Sequence, residues 1–354
     1  MQIPQRVNAM RTLNYYATVA TLCLGLSGCD SDSEPPQVGD PAEGGITSSF
    51  RLGMMPKLVG IGYFDATRRG AEEAARELGI DLIYDGPTEA RSEDQIRMVD
   101  GWLAQGVDVI AIAPNDPEAI AQTLRTAKEV GATVLCWDTD ANPETSGRSV
   151  FVNQVNNEAL GFALVDTMVE QLKARGQSID GEYLIVSGTA TASNQNTWMK
   201  FMRQRIDQKY PGMKLLPHLT PGEDLQKAQE QSSEALSAHP NLKGVWGITS
   251  VALPGAARAV RESGKAESIC VTGLSLPDMM RQYVKDGTVE TFLLWDAVAL
   301  GYLTVYVAQE LKNGGLESGT RDFGRLKGIE VRDGVVTLGP PLKFNLANID
   351  DYQF

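Results

Sequence analysis

From Pro56 to the end of the chain, short apolar runs alternate with segments in which apolar residues recur every three or four positions. The short runs favour β-strands, and the amphipathic segments favour helices. The runs are apolar throughout, which is typical of strands that are covered on both faces. Because such strands alternate with helices, the pattern predicts an α/β fold with parallel sheets.

A first series of elements extends to about residue 150. Its predicted strands are KLVGIGY, DLIYDG, VDVIAIAP and TVLCWD. We expect the helix after the first strand to have Asp65 as its N-cap and to end at Gly79. The next helix is predicted to begin at Ser92, with Gln95 at capping-box spacing, and the third to open with Asp116-Pro117.

A second series begins at the run SVFVNQ. Its other predicted strands are EYLIVSG, MKLLPHL, GVWGITS, SICVTGLS and TVETFLLWD. Helices are predicted over 157–174, 195–209, 224–238, 254–263, 277–286 and 297–312, and a glycine-rich hairpin region is predicted at 319–340. The two series together predict two doubly wound parallel-sheet lobes.

The N-terminal residues have the pattern of a secreted lipoprotein. Arg6 and Arg11 precede the apolar run YYATVATLCLGLSG, which is too short to span a bilayer and ends in small residues. Residues 26–29, Leu-Ser-Gly-Cys, resemble a lipobox, in which the cysteine is acylated and becomes the first mature residue. We therefore predict a signal peptide at 1–28 and lipidation at Cys29, the alternative being a chance cysteine after a signal peptide.

Residues 29–52 are rich in acids, proline and glycine, and we predict that they form a flexible tether. The remaining cysteines, Cys136 and Cys270, each lie in an apolar run of a different lobe. We expect them to be buried and unpaired rather than joined in a disulfide.

Composition narrows the class of protein. The chain has 354 residues, which suits two domains, and its 42% hydrophobic and 22% charged residues are typical of soluble globular proteins. A net charge of −13 argues against nucleic-acid partners. With only two histidines, His218 and His239, sites built on imidazole are disfavoured.

Ligands of open α/β sheets bind at the carboxyl ends of the strands. The predicted strand ends carry aromatic, carboxylate, amide and hydroxyl side chains, and Lys57 is the nearby cation. Aromatic rings pack on the C–H face of a sugar, while carboxylates and amides bond its hydroxyls. This set favours a neutral polyol, and the strand ends are 62–65, 85–86, 114–116, 137–140, 187–195, 249–250, 275 and 295–296.

Catalytic and cofactor motifs receive little support. The sequence has no Gly-x-Ser-x-Gly elbow and no Cys or His pair at metal-ligand spacing. Gly60 and Gly62 resemble the start of a dinucleotide fingerprint, but Asp65 occupies the third glycine position and would repel a pyrophosphate. We therefore predict no catalytic residues, no metal and no cofactor.

Several segments together carry a family resemblance. They are PKLVGIGYFDA, IYDGPTEA, QGVDVIAIAPNDPEA, VLCWDTD, NQNTWMK, LPGAARAV, YVKDGTVETFLLWD and FNLANIDDYQF. From Pro56 to Phe354 the chain resembles the type I sugar-binding proteins of ABC importers, and it is similar above all to the branch with rhamnose-binding proteins and autoinducer-2 receptors.

That resemblance implies two lobes joined by a three-crossing hinge, with a ligand in the cleft and closure on binding. The crossings would fall near residues 151, 291 and 319, which divides the chain into an N-terminal lobe (53–150 and 291–318) and a C-terminal lobe (151–290 and 319–354). It also implies a monomer that delivers sugar to an ABC permease from the periplasmic face of a bacterial membrane, where the lipid would anchor it.

The resemblance also implies roles for single residues. Lys57, Asp138 and Gln195 match ligand-binding positions of the autoinducer-2 branch, although Asn194 stands where that branch has an acid, and 248–250 replace its Pro-Asp-Ala stretch. The aromatic pair 63–64 matches the stacking tip of ribose-type relatives. The full predicted ligand-binding set is Lys57, Tyr63, Phe64, Asp138, Asn194, Gln195, Thr249, Ser250 and Trp295.

The preferred ligand is a rhamnose-like deoxyhexose or a related aldose. Ribose itself is not favoured, because ribose-type relatives have an acid where this chain has Ser275. The alternatives are an autoinducer-2 receptor, a sugar-modifying or NAD-dependent enzyme, and a transcriptional repressor, which would need a helix-turn-helix in place of the lipobox. Single residues also have plainer interpretations: Asp138 could cap a turn, Lys57 could lie at the surface, and Phe64 and Trp295 could belong to the core.

Overall fold

The computed structural model describes residues 50–354. The predicted signal peptide, the lipidation site Cys29 and residues 29–49 of the predicted tether lie outside the described residues. Residues 51 and 52, which were also assigned to the tether, belong to the first strand. Within the described part of the chain, none of the helices combines the length and the apolar character needed to cross a bilayer.

The strands and helices alternate as an α/β fold requires. In chain order the strands are β1 (Arg51–Met55), β2 (Asp81–Tyr84), β3 (Val109–Ile112), β4 (Thr133–Trp137), β5 (Val150–Asn153), β6 (Gly181–Val186), β7 (Met213–Leu215), β8 (Leu242–Gly247), β9 (Cys270–Gly273), β10 (Thr291–Leu294), β11 (Gly319–Phe323), β12 (Leu326–Arg332), β13 (Val335–Thr337) and β14 (Leu342–Asn345). The helices are α1 (Gly62–Leu78), α2 (Ser92–Ala104), α3 (Ala121–Glu129), α4 (Asn157–Ala174), α5 (Ser193–Lys209), α6 (Leu225–Ala238), α7 (Ala252–Glu262), α8 (Pro277–Lys285) and α9 (Ala297–Lys312).

The larger sheet has the strand order β11-β12-β13-β5-β4-β3-β1-β2. Six neighbouring strands of this sheet pair in parallel, in the order β2, β1, β3, β4, β5 and β13. Strands β12 and β11 extend the β13 edge by antiparallel pairing. Alternate residues of β3 and β4 enter two separate apolar cores, so that Val109 and Leu135 face one core while Ile110 and Val134 face the other. Both faces of this sheet are therefore buried, as the continuous apolar runs predict.

The smaller sheet has the order β7-β6-β8-β9, all parallel. The antiparallel pair β10–β14 lies beside it, because Leu293 bridges to Leu274 and the Thr272 hydroxyl donates to the Thr291 carbonyl at 2.7 Å. Helix α4 packs against β9 and β10 on this side. The second lobe is thus built from β6–β10, β14 and α4–α8.

The lobes join at three crossings; the first two lie within a few residues of the predicted 151 and 291, and the third lies between Thr337 and Leu342 rather than near 319. The chain crosses between β5 and α4, between β10 and α9, and between β13 and β14. Residues 319–337 were assigned to the C-terminal lobe and instead extend the larger sheet, because Val335 and Val336 of β13 pair in parallel with β5. Strand β10 was assigned to the N-terminal lobe and instead pairs with β14.

The predicted first strand, KLVGIGY, is wrong. The strand is the preceding run, β1, which pairs with both β2 and β3. Residues 56–61 form a loop in which Gly60 has φ of +88°, and α1 begins at Gly62. Asp65 lies in the first turn of α1, whose N-cap is Ile61, whereas Gly79 ends the helix in the left-handed conformation as expected.

Of two further local predictions, the one for Gln95 is wrong and the one for the cysteines is confirmed. Gln95 does not cap α2: its buried amide donates to the carbonyls of Pro56 and Ala113. Cys136 and Cys270 are buried and unpaired, which confirms the prediction for both.

Candidate functional site

The carboxyl ends of both sheets and the starts of α1 and α5 enclose one cavity between the lobes. It leaves about 390 Å³ of atom-free space, a figure that includes open solvent. All nine predicted ligand-binding residues line it, each at most 8% exposed. The other lining residues are Ile61, Trp198, Glu223, Ile248, Leu274 and Leu294.

Asp138 follows β4 directly and has an unusual backbone. Its φ is +60°, and the Thr139 amide donates to the Trp137 carbonyl at 2.6 Å across it. Asp and Asn adopt this left-handed conformation more readily than other side chains, at a cost of about 1–3 kcal/mol. A tight turn centred on the acid therefore fixes its carboxylate at the sheet edge, so the plainer interpretation as a turn residue and a role in the cavity are compatible.

A chain of hydrogen bonds holds the Asp138 carboxylate. Trp295 Nε1 donates to the Tyr63 hydroxyl at 3.0 Å, and that hydroxyl donates to Asp138 Oδ1 at 2.7 Å. The Thr139 hydroxyl donates to Oδ2 at 3.2 Å. Burial raises the pKa of Asp138, and the Lys57 ammonium and the Tyr63 hydrogen bond oppose part of that rise.

Lys57 is buried rather than at the surface. Its Nζ lies 4.0 Å from Asp138 Oδ2 and donates to Asn194 Oδ1 at 3.3 Å. Two hydrogen bonds hold the loop that carries Lys57: Asn115 Nδ2 donates to the Lys57 carbonyl, and Gln95 Nε2 donates to the Pro56 carbonyl. A cation is thus held between the acid of one lobe and the amide of the other.

The first turn of α5 supplies two amides from the second lobe. Gln195 Oε1 accepts from the Ser187 hydroxyl at 3.0 Å and from the Gly188 amide at 2.9 Å, so its Nε2 is the end that lines the cavity. Asn194 Nδ2 donates to the Asp138 carbonyl at 3.4 Å. With the bond from Lys57 to Asn194, these contacts join the lobes directly across the cleft.

Aromatic rings form one wall of the cavity. Tyr63 meets Phe64 and Trp295 edge to face, at ring-centroid distances of 5.1 Å and 6.1 Å. Trp198 lies 5.8 Å from Trp295. Phe64 and Trp295 therefore both pack in the core and line the cavity.

Thr249 and Ser250 follow β8. The Thr249 hydroxyl accepts from the Ala252 amide at 3.0 Å, and its own proton is directed to the Glu223 carboxylate. Ser275, a predicted strand-end residue, donates to the Ser250 carbonyl at 2.7 Å and supports that loop instead of lining the cavity.

Two polar or aromatic lining residues were missed. Trp198 is in the quoted segment NQNTW and lies one helical turn after Asn194, so its position on the same face of α5 was available from the spacing. Glu223 was missed because the end of the predicted strand MKLLPHL was not included among the strand ends, although the chain runs beside β6 as far as Leu219 before turning at 220–223.

Residues 52–316 match the family model described as periplasmic binding protein domain. The match covers well over half of the chain, and the two parallel-sheet lobes with three crossings agree with it. The chain therefore belongs to the periplasmic binding protein family and has its type I α/β fold.

Particular relatives are similar over most of the chain. A D-ribose/D-allose-binding protein of Pseudomonas aeruginosa is 26% identical over 248 residues, which is 68% of this chain and 75% of that protein. LsrB from Clostridium saccharobutylicum, solved in complex with AI-2, is 27% identical with a TM-score of 0.81 and covers 86% of this chain and 100% of its own. An ABC transporter solute binding protein from Clostridium phytofermentas with bound L-rhamnose is 30% identical with a TM-score of 0.79, over 86% and 98% of the two chains.

The first of these relatives is a D-ribose/D-allose-binding protein and the third is a solute binding protein of an ABC transporter; both are binding proteins rather than enzymes. The predicted family and the prediction of a binding protein rather than an enzyme are confirmed. The identity of the ligand and the roles of the nine residues stay predictions.

Proposed function

We propose that this protein is the lipid-anchored solute-binding protein of a sugar ABC importer and that it binds one monosaccharide in the cavity between its lobes. One observation carries the proposal: a buried carboxylate, two oriented amides and an aromatic wall, drawn from both lobes, converge on one cavity between them. This is the set of groups that bonds sugar hydroxyls and packs against sugar C–H faces.

The lining favours a rhamnose-like deoxyhexose. Asp138 and Gln195 offer an acceptor and a donor for ring hydroxyls, and Lys57 donates as a cation. Apolar side chains complete the wall and would cover a methyl group or the C–H face of a ring; they are Ile61, Trp198, Ile248, Leu274 and Leu294. Burying a methyl group there contributes about 0.8 kcal/mol, which would distinguish a deoxyhexose from a pentose.

Binding requires no chemistry in this proposal. Each lobe provides half of the site, so only the closed arrangement makes both sets of contacts with the sugar. The ligand shifts the population toward that arrangement by the difference in its affinity for the two. The direct bonds across the cleft, such as Lys57 to Asn194, support closure as the state that the permease recognises.

A second candidate is an autoinducer-2 receptor. Lys57, Asp138 and Gln195 all line the cavity and match the ligand positions of that branch, and the similarity to LsrB extends over 86% of this chain. Asn194 and 248–250 depart from the branch, which is why a sugar is preferred.

A thermal-shift panel tests the proposed function. The unliganded protein is heated with L-rhamnose, D-ribose, D-allose, D-arabinose or autoinducer-2, each in excess. A ligand at 100 times its dissociation constant adds roughly 2.7 kcal/mol to the free energy of unfolding, and we expect the largest rise in Tm with L-rhamnose. Stabilisation by autoinducer-2 alone would favour the second candidate, and no stabilisation by any of them would overturn the proposal.

Membrane anchoring rests on Cys29. We predict that Cys29→Ser in the full chain prevents acylation and moves the protein from the membrane fraction to the soluble fraction. Cys23→Ser, in the predicted signal peptide, is the matched control and should leave the protein with the membranes. Fractionation and immunoblotting measure both, and a Cys29→Ser protein that stays with the membranes would contradict the prediction.

Sugar affinity should fall as the pH is lowered. Hydroxyl donors favour the ionised form of Asp138, so sugar binding lowers the pKa of this acid and releases a proton. Because burial raises the pKa of Asp138 in the unliganded protein, the loss of affinity should begin above the usual carboxyl range near pH 4. Titration calorimetry in buffers from pH 4 to 8 measures it, and an affinity that rises on acidification would contradict the assignment.

A further inference from the structure

The structure assigns a second ligand-binding carboxylate to the cavity, Glu223 of the loop before α6, and we propose that it contacts the sugar from the lobe opposite Asp138. The inference rests on the proposed function, since it concerns the same ligand.

The loop that carries Glu223 is held against the cavity by the sheet. After β7, Leu219 bridges to Val186 of β6, and its amide donates to the Ile185 carbonyl at 2.9 Å. The Gly222 amide then donates to the Gly188 carbonyl at 3.2 Å. These bonds place Glu223 among the residues that line the cavity.

Gln195 orients the carboxylate. Its Oε1 is occupied by Ser187 and Gly188, so its Nε2 is left as the donor and reaches Glu223 Oε1 at 3.3 Å. An amide nitrogen has two donors. One bond to Glu223 therefore leaves the second donor for a ligand, and the amide and the carboxylate form a donor–acceptor pair for one sugar hydroxyl.

The fit around this pair is tight. A Cβ at position 188 would lie 2.6 Å from Glu223 Oε1 and 2.8 Å from Gln195 Oε1, so only glycine lets both side chains approach that backbone. Burial raises the pKa of Glu223, while Lys57 and the bonds from Gln195 and Thr249 oppose part of the rise. An acid in such surroundings is costly to keep ionised unless a ligand bonds it.

Two carboxylates on opposite walls constrain the ligand. Each accepts hydrogen bonds and donates none when ionised, so a well-bound sugar must present hydroxyls on two separate edges. A sugar that lacks one of these hydroxyls leaves an acid of the cavity without its ligand bond, which penalises that sugar. Glu223 would thus help to determine specificity, beyond adding affinity.

The test is Glu223→Gln, which keeps the shape of the side chain and removes its charge. We expect the affinity for L-rhamnose to fall about tenfold or more. We also expect the Tm of the unliganded variant to equal or exceed that of the wild type, because a partly buried acid with a raised pKa is replaced by a neutral amide. A purely structural role would instead lower the Tm and leave the affinity of the folded protein unchanged.

Glu234→Gln is the matched control, since Glu234 is exposed on α6 and the charge change is the same. Gly188→Ala is a second variant, which should weaken binding by displacing the Gln195–Glu223 pair. Calorimetry with L-rhamnose, D-ribose and D-allose is run on all four proteins. If Glu223→Gln binds these sugars as tightly as the wild type does, this inference alone is overturned. If the wild type binds none of the three sugars, the proposed function is overturned and this inference with it.

Discussion

Replacing Asp138 with asparagine is expected to reduce sugar affinity at least 100-fold while leaving the unliganded protein folded and as stable as the wild type. The carboxylate is the acceptor on the first lobe's side of the cavity, and hydrogen bonds to charged groups contribute about 1.5–3 kcal/mol each. Two such bonds to sugar hydroxyls account for the expected loss. Titration calorimetry measures the affinity, and thermal unfolding without sugar measures the stability.

Asparagine is the informative substitution because of the backbone. At φ of +60°, Asn is tolerated nearly as well as Asp, whereas alanine would add strain that has nothing to do with the ligand. Burial raises the pKa of Asp138 even with the Lys57 attraction included, so a neutral side chain removes a cost of the unliganded state that outweighs the lost attraction. Lys57 keeps its bond to Asn194 Oδ1 in this variant. Asn still accepts from the Tyr63 hydroxyl, which preserves the bond from Trp295 as well.

Asp65→Asn is the matched control. Asp65 is exposed in the first turn of α1, close in sequence to the aromatic pair but outside the cavity lining. It should change neither affinity nor stability appreciably. An Asp138→Asn protein with undiminished affinity would remove the central residue of the proposed site.

The sequence was enough to predict most of the polar and aromatic residues that meet in the cavity. Asp138, Gln195, Thr249 and Trp295 are far apart in the chain, yet each follows a strand that its apolar run makes recognisable. Parallel strands bring their carboxyl ends to one edge. Once the strands were placed, that geometry predicted the convergence without knowledge of the loops, and the family resemblance selected among the strand ends.

The sequence pattern could not predict which strands pair with each other. The runs RLGMM and KLVGIGY are both apolar enough for a strand. RLGMM forms β1 because it pairs with β2 on one side and with β3 on the other. Likewise, β13 extends the larger sheet because of its pairing with β5, which is more than 170 residues earlier. Local periodicity contains no information about such distant partners.

Glu223 and Lys57 show two further limits within the site. The predicted strand MKLLPHL ends at Leu219, but its end was not counted among the strand ends, so Glu223 four residues later was not considered. From the sequence alone, Lys57 could lie at the surface. Its burial follows from the bonds of Asn115 and Gln95 to the 56–57 backbone, and Gln95 was itself assigned to a helix cap.

Lys57→Met is expected to reduce sugar affinity about 100-fold or more and, unlike Asp138→Asn, to destabilise the unliganded protein at neutral pH. Lys57 and Asp138 are both buried, with 4.0 Å between Nζ and Oδ2. Removing one partner of a buried ion pair costs about 3–5 kcal/mol, because the other charge is left uncompensated. Methionine keeps the length of the side chain, so lost packing contributes little.

The sign of the pH effect distinguishes this mechanism from simple misfolding. Without the ammonium, the pKa of Asp138 rises further above its unfolded value, since Lys57 acts to lower it. The folded variant then binds more protons than the unfolded chain. Its stability should therefore increase as the pH falls from neutral toward the usual carboxyl range and decrease as the pH rises.

The double variant Lys57→Met, Asp138→Asn completes the cycle. It removes both charges, so it should recover most of the stability that Lys57→Met loses, while sugar binding stays absent. Thermal unfolding of the four proteins at pH 5 and 7, with calorimetry at pH 7, measures both quantities. If the double variant were no more stable than Lys57→Met, the lysine would act through packing and its bond to Asn194, and the acid would not depend on it.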